Sequence, residues 1–406
     1  MLNWANRFNI CCFLDNHDYP SSYQKIECIA AAGAVKTFSA QNSILDQLNA
    51  FCKNNHDWLF GHLSYDLKNE IAPLHSAHPN RIGFPDVLLF QPEIVVQLKN
   101  DQCIISSLTK DPETIFNEII STSVIVEEES YTVPIQPRIT KQEYIQTIKR
   151  LLKHILRGDC YEINLCQEFY AVDALINPVN IYTGLTAISP NPFAAFYKLD
   201  DKYLLCASPE RYIQRKGNQL ISQPIKGTCK RDISDPEADA LLKAQLQQSE
   251  KDRSENVMIV DLVRNDLSRV CKEGTVKVNE LCGIYSFPQV HQLISTISGE
   301  LNEGTGFANI IKATFPMGSM TGAPKQKVMQ LIEQYEKTKR GIYSGAVGYI
   351  NPDNDFDFNV VIRSILYNAA DRYLSYLVGG GITFQSDPEK EYAECLLKAA
   401  AIQAVL

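Results

Sequence analysis

Thr140-Lys141-Gln142-Glu143-Tyr144-Ile145-Gln146-Thr147-Ile148-Lys149-Arg150-Leu151-Leu152-Lys153-His154-Ile155, then Gly158 and the run Cys160-Tyr161-Glu162-Ile163-Asn164-Leu165, carries the change of period on which the fold reading turns. Thr140 and Glu143 have the spacing of a capping box, and Tyr144, Ile148, Leu151, Leu152 and Ile155 form an apolar stripe at helical spacing. Gly158 stops that helix, and the apolar run over 160–170 then reads as a strand. Working outward, further strands are expected at 193–199 and 203–206. A helical block is expected from Pro236, in a favourable first-turn position after Asp235, to about Val270. A third helix runs from near Ala323 to about Lys339, and the last begins after Ser386, with Pro388 in its first turn and Glu389 completing a second capping box. Strands over 342–350, 356–367 and 373–379 lie between these two helices. Long helices spaced among antiparallel-looking strands point to an α+β chain, not a doubly wound parallel sheet. Residues 1–120 alternate short apolar strands, such as Val87-Leu88-Leu89-Phe90 and Ile94-Val95-Val96, with polar loops. The segment 121–139, with Glu127-Glu128-Glu129, Pro134 and Pro137, reads as an exposed connector. The expected division is 1–125 and 140–406, within one compound fold.

Composition narrows the class. The chain has 406 residues, 45% hydrophobic and 21% charged, with a net charge of −8. That balance argues against nucleic acid or an acidic membrane surface as partner, since both call for a basic field. It leaves room for a small anionic substrate in a local basic pocket. The 12 cysteines are scattered, with no paired ligand spacing, which argues against a zinc site and for a reduced compartment. No apolar run approaches the ~18 residues of a membrane span, and Asp15 cuts short the run Ile10-Cys11-Cys12-Phe13-Leu14. A cytoplasmic protein is expected.

Three constellations carry chemistry. Asp252 and Glu255 are three apart, as are Glu391 and Glu394, so each pair lies on one helix face. If the two faces met, they would offer an oxygen-rich site suited to Mg²⁺; on spacing alone the stronger reading is of solvated faces. Lys226, in Pro224-Ile225-Lys226-Gly227-Thr228, follows an apolar strand. Burial there would make its amine nucleophilic, whereas a surface position would let it snorkel. Gly318-Ser319-Met320-Thr321-Gly322-Ala323-Pro324-Lys325 opens a helix and Gly379-Gly380-Gly381 follows a strand, and either could offer backbone N–H groups to an anion. Arg363, in Val360-Val361-Ile362-Arg363, calls for an anionic partner if it points inward. By themselves these residues reach a small carboxylated ligand, handled with Mg²⁺.

Together the segments resemble the chorismate-utilising enzymes, the family of the component I subunits of anthranilate and aminodeoxychorismate synthases. The likeness covers about 140–400 and rests on Gly158-Asp159-Cys160-Tyr161-Glu162-Ile163-Asn164-Leu165, Ser208-Pro209-Glu210-Arg211 and Pro224-Ile225-Lys226-Gly227-Thr228. It continues through Ser254-Glu255-Asn256-Val257-Met258-Ile259-Val260-Asp261-Leu262-Val263-Arg264-Asn265-Asp266, Phe315-Pro316-Met317-Gly318-Ser319 and Gly379-Gly380-Gly381-Ile382. The resemblance implies a four-layer α/β/β/α sandwich with the active site between its two sheets. It implies Mg²⁺ held by Glu255 and Glu394, with Asp252 and Glu391 in support, and the ring carboxylate of chorismate on the metal and on the Gly380 and Gly381 backbone. Tyr343, Arg363 and Lys325 match the positions that hold the pyruvyl carboxylate, with Gly318 and Ser319 nearby, and His291 matches a histidine close to the ring.

Lys226 separates the branches of the family. Members that aminate chorismate at C4 resemble this chain in carrying Lys there, whereas those that aminate at C2, for tryptophan synthesis, typically carry Ala. The likeness implies that Lys226 adds at C2 with loss of the C4 hydroxyl, protonated by Glu210, and that ammonia then adds at C4 to give 4-amino-4-deoxychorismate for 4-aminobenzoate and folate. The amine would need a lowered pKa, expected from burial and a nearby Mg²⁺. Isochorismate- and salicylate-forming members carry a water-activating Lys where this chain has Glu162. No glutaminase nucleophile motif is present, so ammonia is expected from a separate glutamine amidotransferase subunit, and no fused lyase is expected before Leu406. Gly61-His62-Leu63-Ser64-Tyr65-Asp66 is similar to the family's N-terminal signature. Leu14-Asp15-Asn16 departs from the Leu-Glu-Ser motif that lines a tryptophan pocket in many members.

Overall fold

The computed structural model describes residues 1–19, 23, 26–99, 101–123 and 133–406. The acidic run 127–129 of the connector lies outside these; the connector's far end, Gln136–Pro137, pairs with the strand Glu162–Ala171. Two large sheets carry the fold, and every strand pairing among the described residues is antiparallel. In the first, Ile10–Asp15 lies between Phe193–Leu199 and Cys28–Ala32, and Tyr373–Thr383 runs along the whole of Glu162–Ala171. In the second, Leu59–Leu63 pairs with Ala346–Ile350 on one side and with Val87–Gln91 on the other. Strands from the first 107 residues are thus built into both sheets.

Period-two alternation sorts the first sheet's side chains into two cores. Cys12, Ile29 and Val95 point into a core shared with the second sheet, where they join Leu59, Leu88 and Val347. Cys11, Ala30 and Val96 point the other way, under Tyr144, Ile148 and Leu151 of the helix Lys141–Leu156, with Cys395 and Ala399 of the helix Pro388–Gln403. The helices Ile44–Lys53, Glu250–Ser268 and Phe307–Thr314 cover the second sheet through Leu48, Ile259 and Ile310. The result is helices, sheet, sheet, helices: a four-layer α/β/β/α sandwich of α+β class. Each fully buried Leu or Ile of this kind adds about 1.5–3 kcal/mol.

The capping box of Thr140 and Glu143 forms in full. Three helix boundaries differ from the sequence reading. The block over 236–270 is two helices, Pro236–Gln248 and Glu250–Ser268, because Ser249 leaves helical geometry and its hydroxyl caps the second by accepting from the Asp252 N–H. The helix expected from Ala323 to Lys339 spans Lys325–Tyr335 and ends where Glu336 turns inward to the buried Arg340. The last helix is capped by Asp387, which accepts from the Glu389 and Lys390 N–H groups. Ser386 instead accepts from the Thr383 N–H, so no capping box with Glu389 forms.

The strand expected over 356–367 is also two strands. Phe356–Asn359 belongs to the second sheet and Ser364–Asn368 to the first, and residues 360–363 carry the chain across. A like crossing joins Lys202–Ser208 of the first sheet to Arg211–Lys216 of the second, through Pro209 and Glu210.

Candidate active site

Both crossings open on one cavity, which Glu210 and Arg363 line together with Lys226 and Ser319. A crossing sets its side chains apart from the ladder, so Glu210 and Arg363 face the space between the sheets. Arg363 holds a left-handed backbone at φ +53°, a costly conformation for a bulky residue other than glycine. Its guanidinium makes no hydrogen bond to any described side chain, although burial lowers its pKa. Tyr343 lines the same wall. An unpaired guanidinium in a pocket wall is a receptor for a carboxylate.

Lys226 sits at the floor. It extends from the strand Ile225–Lys230 and ion-pairs with Glu162, whose side chain is 1% exposed. Burial pushes the Lys226 pKa down, but Glu162, Glu255 and Glu210 outweigh it and the net displacement is upward. Burial alone therefore does not lower this amine, because the surrounding carboxylates outweigh it. Gly381 makes room for the pair, since a Cβ there would come within 2.6 Å of Lys226 Nζ and 2.7 Å of Glu162 Oε1. Glu210 is 3% exposed. Burial raises its carboxyl to about 7, against the lowering effects of the Ser319 hydroxyl, the Ile225 backbone and Lys226. Ser319 Oγ donates to Glu210 Oε1 at 2.6 Å. A carboxyl poised near neutrality, facing a lysine, is suited to giving up a proton.

The two acid pairs face one cavity from two helices. Asp252, Glu255, Glu391 and Glu394 all line the cavity. Lys251 Nζ stands between the pairs, 3.3 Å from Glu391 Oε1 and 3.9 Å from Glu255 Oε1. Lys398 donates to the Gly379 carbonyl at 3.0 Å and pairs with Glu394 at 2.8 Å, holding that carboxyl below its usual range. Glu255 Oε1 is buried without a hydrogen-bond partner, and burial raises the Glu255 carboxyl to about 7. Four hard oxygen donors, one of them with an orphaned oxygen, suit Mg²⁺. Gly380 lies beside the acids, where a Cβ would stand 3.4 Å from Glu391 Oε2. No three acids among the described residues close on a common point.

Three sequence-predicted residues lie elsewhere. His291 is buried behind the wall, with Nδ1 2.8 Å from Ser286 Oγ and Nε2 3.1 Å from Asp239 Oδ1, while its neighbour Gln292 lines the cavity. Strand alternation turns one of the two inward. Lys325 Nζ is spent on Asp266 at 2.6 Å and the Thr314 carbonyl at 3.2 Å, beneath the glycine turn. Gly318 packs against the helix Glu250–Ser268, where a Cβ would meet Leu262 Cβ at 3.2 Å. The sequence reading did not assign Glu162, Lys251, Lys398, Asn164 or Gln292 to the site. For Lys251 and Lys398 there was a signal, since each is four residues from Glu255 or Glu394 on its own helix. Leu14 and Asp15 line a separate cavity with Phe193 and Tyr349.

Aminodeoxychorismate synthase component 1 of Bacillus subtilis is 37% identical over 267 residues, 66% of this chain and 56% of that protein. The chain thus spans little more than half the length of that relative. Anthranilate synthase component 1 of Aquifex aeolicus is 32% identical over 368 residues, 86% of this chain and 74% of that protein. The crystal structure of anthranilate synthase component I from Streptococcus pneumoniae superposes with a TM-score of 0.81 at 24% identity, covering 94% of this chain and 92% of that one, which bears on the fold. The profile of the chorismate binding enzymes matches residues 10–404, and the chain belongs to that family.

Proposed function

We propose that this protein is the component I subunit of an aminodeoxychorismate synthase, aminating chorismate at C4 to 4-amino-4-deoxychorismate. The observation that carries the reading is the juxtaposition in one cavity of Lys226, a nearly neutral Glu210 and an open Arg363. The name of the Bacillus subtilis relative supports it. Arg363 and Tyr343 receive the pyruvyl carboxylate, and the Gly380–Gly381 backbone faces the ring carboxylate. Glu255 and Glu394, with Asp252 and Glu391, would hold Mg²⁺, which when bound neutralises and orients that ring carboxylate.

Lys226 Nζ adds at C2, and the electron pairs of C1=C2 and C5=C6 shift to C1=C6 and C4=C5. The C4–O bond breaks, and the hydroxyl leaves as water with the proton of Glu210. Ammonia then adds at C4, the pairs shift back, and Lys226 departs from C2. Hydroxide is a poor leaving group, so a protonated carboxyl beside it is the chemical requirement that Glu210 meets. The reaction calls for an ammonia source, which we assign to a glutamine amidotransferase partner, and its product leads towards 4-aminobenzoate and folate.

The test is turnover of the purified chain with chorismate, Mg²⁺ and excess ammonium, read by mass spectrometry with and without aminodeoxychorismate lyase. 4-Aminobenzoate formed only with the lyase is expected. Anthranilate formed without it would overturn the C4 assignment and place the chain with the C2-aminating members.

A further inference from the structure

Lys226 is ion-paired with a carboxylate, and a lysine in such a pair has to give up a proton before its nitrogen can attack carbon, so the Lys226 reading requires a group that takes that proton at the moment of attack. Glu210, Glu255 and Glu394 face it from the crossing at 209–210 and from the two acid-bearing helices, and Glu162 from the strand Glu162–Ala171. Among the described residues Glu162 alone is in ion-pair contact with Nζ. Glu210 has to keep its own proton for the departing hydroxyl. We propose that Glu162 is the proton acceptor that converts Lys226 from ammonium to amine, an inference that rests on the assignment of Lys226 as nucleophile.

The surroundings of Glu162 suit that exchange. Its second oxygen, Oε2, is buried and has no hydrogen-bond partner. Other buried acids nearby are each held by several donors. Glu168, on the same strand, is held by Arg138 at 2.8 Å and by the Tyr373 hydroxyl at 2.7 Å. Glu336 is held by Arg340 at 2.7 Å and by the Cys166 N–H at 2.8 Å. Protonating either would strand those donors, whereas protonating Glu162 gives up one partner that becomes neutral in the same step. Gly381 beneath the pair keeps nitrogen and carboxylate in contact and blocks neither.

The transfer is balanced. One proton passes from Nζ to a Glu162 oxygen, turning ammonium and carboxylate into amine and carboxylic acid with no net charge created in the pocket. The lone pair left on nitrogen forms the bond to C2, and the nitrogen emerges as a secondary ammonium. When ammonia displaces it, the product amine carries that charge. Lys226 leaves as a neutral amine and recovers its proton from Glu162.

The experiment is a single turnover of the full chain with chorismate and Mg²⁺ but no ammonium, quenched and read by intact-protein mass spectrometry. An adduct on Lys226 is expected in the wild type; if none forms, the nucleophile assignment itself falls. In Glu162→Gln, which keeps the shape and a hydrogen-bond acceptor, the adduct should form about a hundredfold more slowly with unchanged chorismate affinity. A rate within about threefold of wild type, on the same general acid–base scale, overturns the role of Glu162 while leaving Lys226 standing. Glu162→Ala supplies a second reading that does not depend on folding of the Gln variant. Added formate should restore adduct formation and formamide should not. Restoration by both, or by neither, counts against proton acceptance.

Discussion

The Val360 N–H donates to the Glu210 carbonyl at 3.0 Å, tying together the two points at which the chain passes from one sheet to the other. A second tie, from the Ala207 N–H to the Arg363 carbonyl at 3.1 Å, closes the same junction. The acid and the guanidinium are thereby positioned by backbone and not by a mobile loop, which is the preorganisation a charge-separating reaction needs.

Loss of Lys226 should separate binding from chemistry. In Lys226→Met the C4-aminated product disappears while chorismate still binds, as titration calorimetry would read. The change also leaves Glu162 buried without its partner, so stability should fall by about 3–5 kcal/mol, and the double variant with Glu162→Met should recover most of it. Recovery is checked by denaturant unfolding of the four proteins of that cycle.

Glu210 sets a pH limb. Its carboxyl is raised from 4.5 to about 7 in the folded chain, so the folded protein binds this proton more tightly than the unfolded one. Its contribution therefore makes the fold less stable as pH climbs from 4.5 through about 7. A reaction that needs the protonated form should lose kcat as pH rises through about 7. Ser319→Ala removes a hydrogen bond that favours the carboxylate, so the limb should move to higher pH. A pH profile of ammonium-dependent turnover checks the direction, and Glu210→Gln should cost about 10²–10⁴ in kcat.

The acid cluster should respond to its own lysines. Glu394→Gln should raise the Mg²⁺ concentration for half-maximal activity, on the order of tenfold or more. Lys251→Met removes a positive charge lying 3.3 Å from Glu391 and 3.9 Å from Glu255, and should lower that concentration. Calorimetric titration of Mg²⁺ into each variant decides both.

Gly381→Ala and Gly318→Ala should differ in kind. The first drives a Cβ to 2.6 Å from Lys226 Nζ and should abolish turnover at modest cost to thermal stability. The second meets Leu262 Cβ at 3.2 Å and should lower the melting temperature more than it lowers kcat/KM. Paired melting curves and steady-state kinetics separate the two.

Much of the site was legible because its chemistry resides in short motifs: Lys226, Glu210 and the two i,i+3 acid pairs were found and all line one cavity. What escaped notice depends on contacts distant in sequence. Residues 356–367 read as one strand because both halves are buried on both faces, which removes the alternation that would mark a break. Only Arg363, with its left-handed backbone, betrays the crossing. Glu162 read as the absence of another residue's role, since nothing along the chain announces that Lys226 pairs with it. The break at Ser249 did have a local signal, Ser249 three residues before Asp252, but the helical pattern on both sides masked it.

The placement of early strands inside both sheets also governs how the chain is made. Leu59–Leu63 finds its neighbour in Ala346–Ile350, near the other end of the polypeptide. At ordinary elongation rates the ribosome needs roughly tens of seconds to reach that partner. Until then the apolar strands of the first hundred or so residues stand with open edges, liable to pair with each other or with a neighbouring nascent chain. Yield in the cell should therefore respond to chaperone supply and translation speed as well as to the stability of the finished protein.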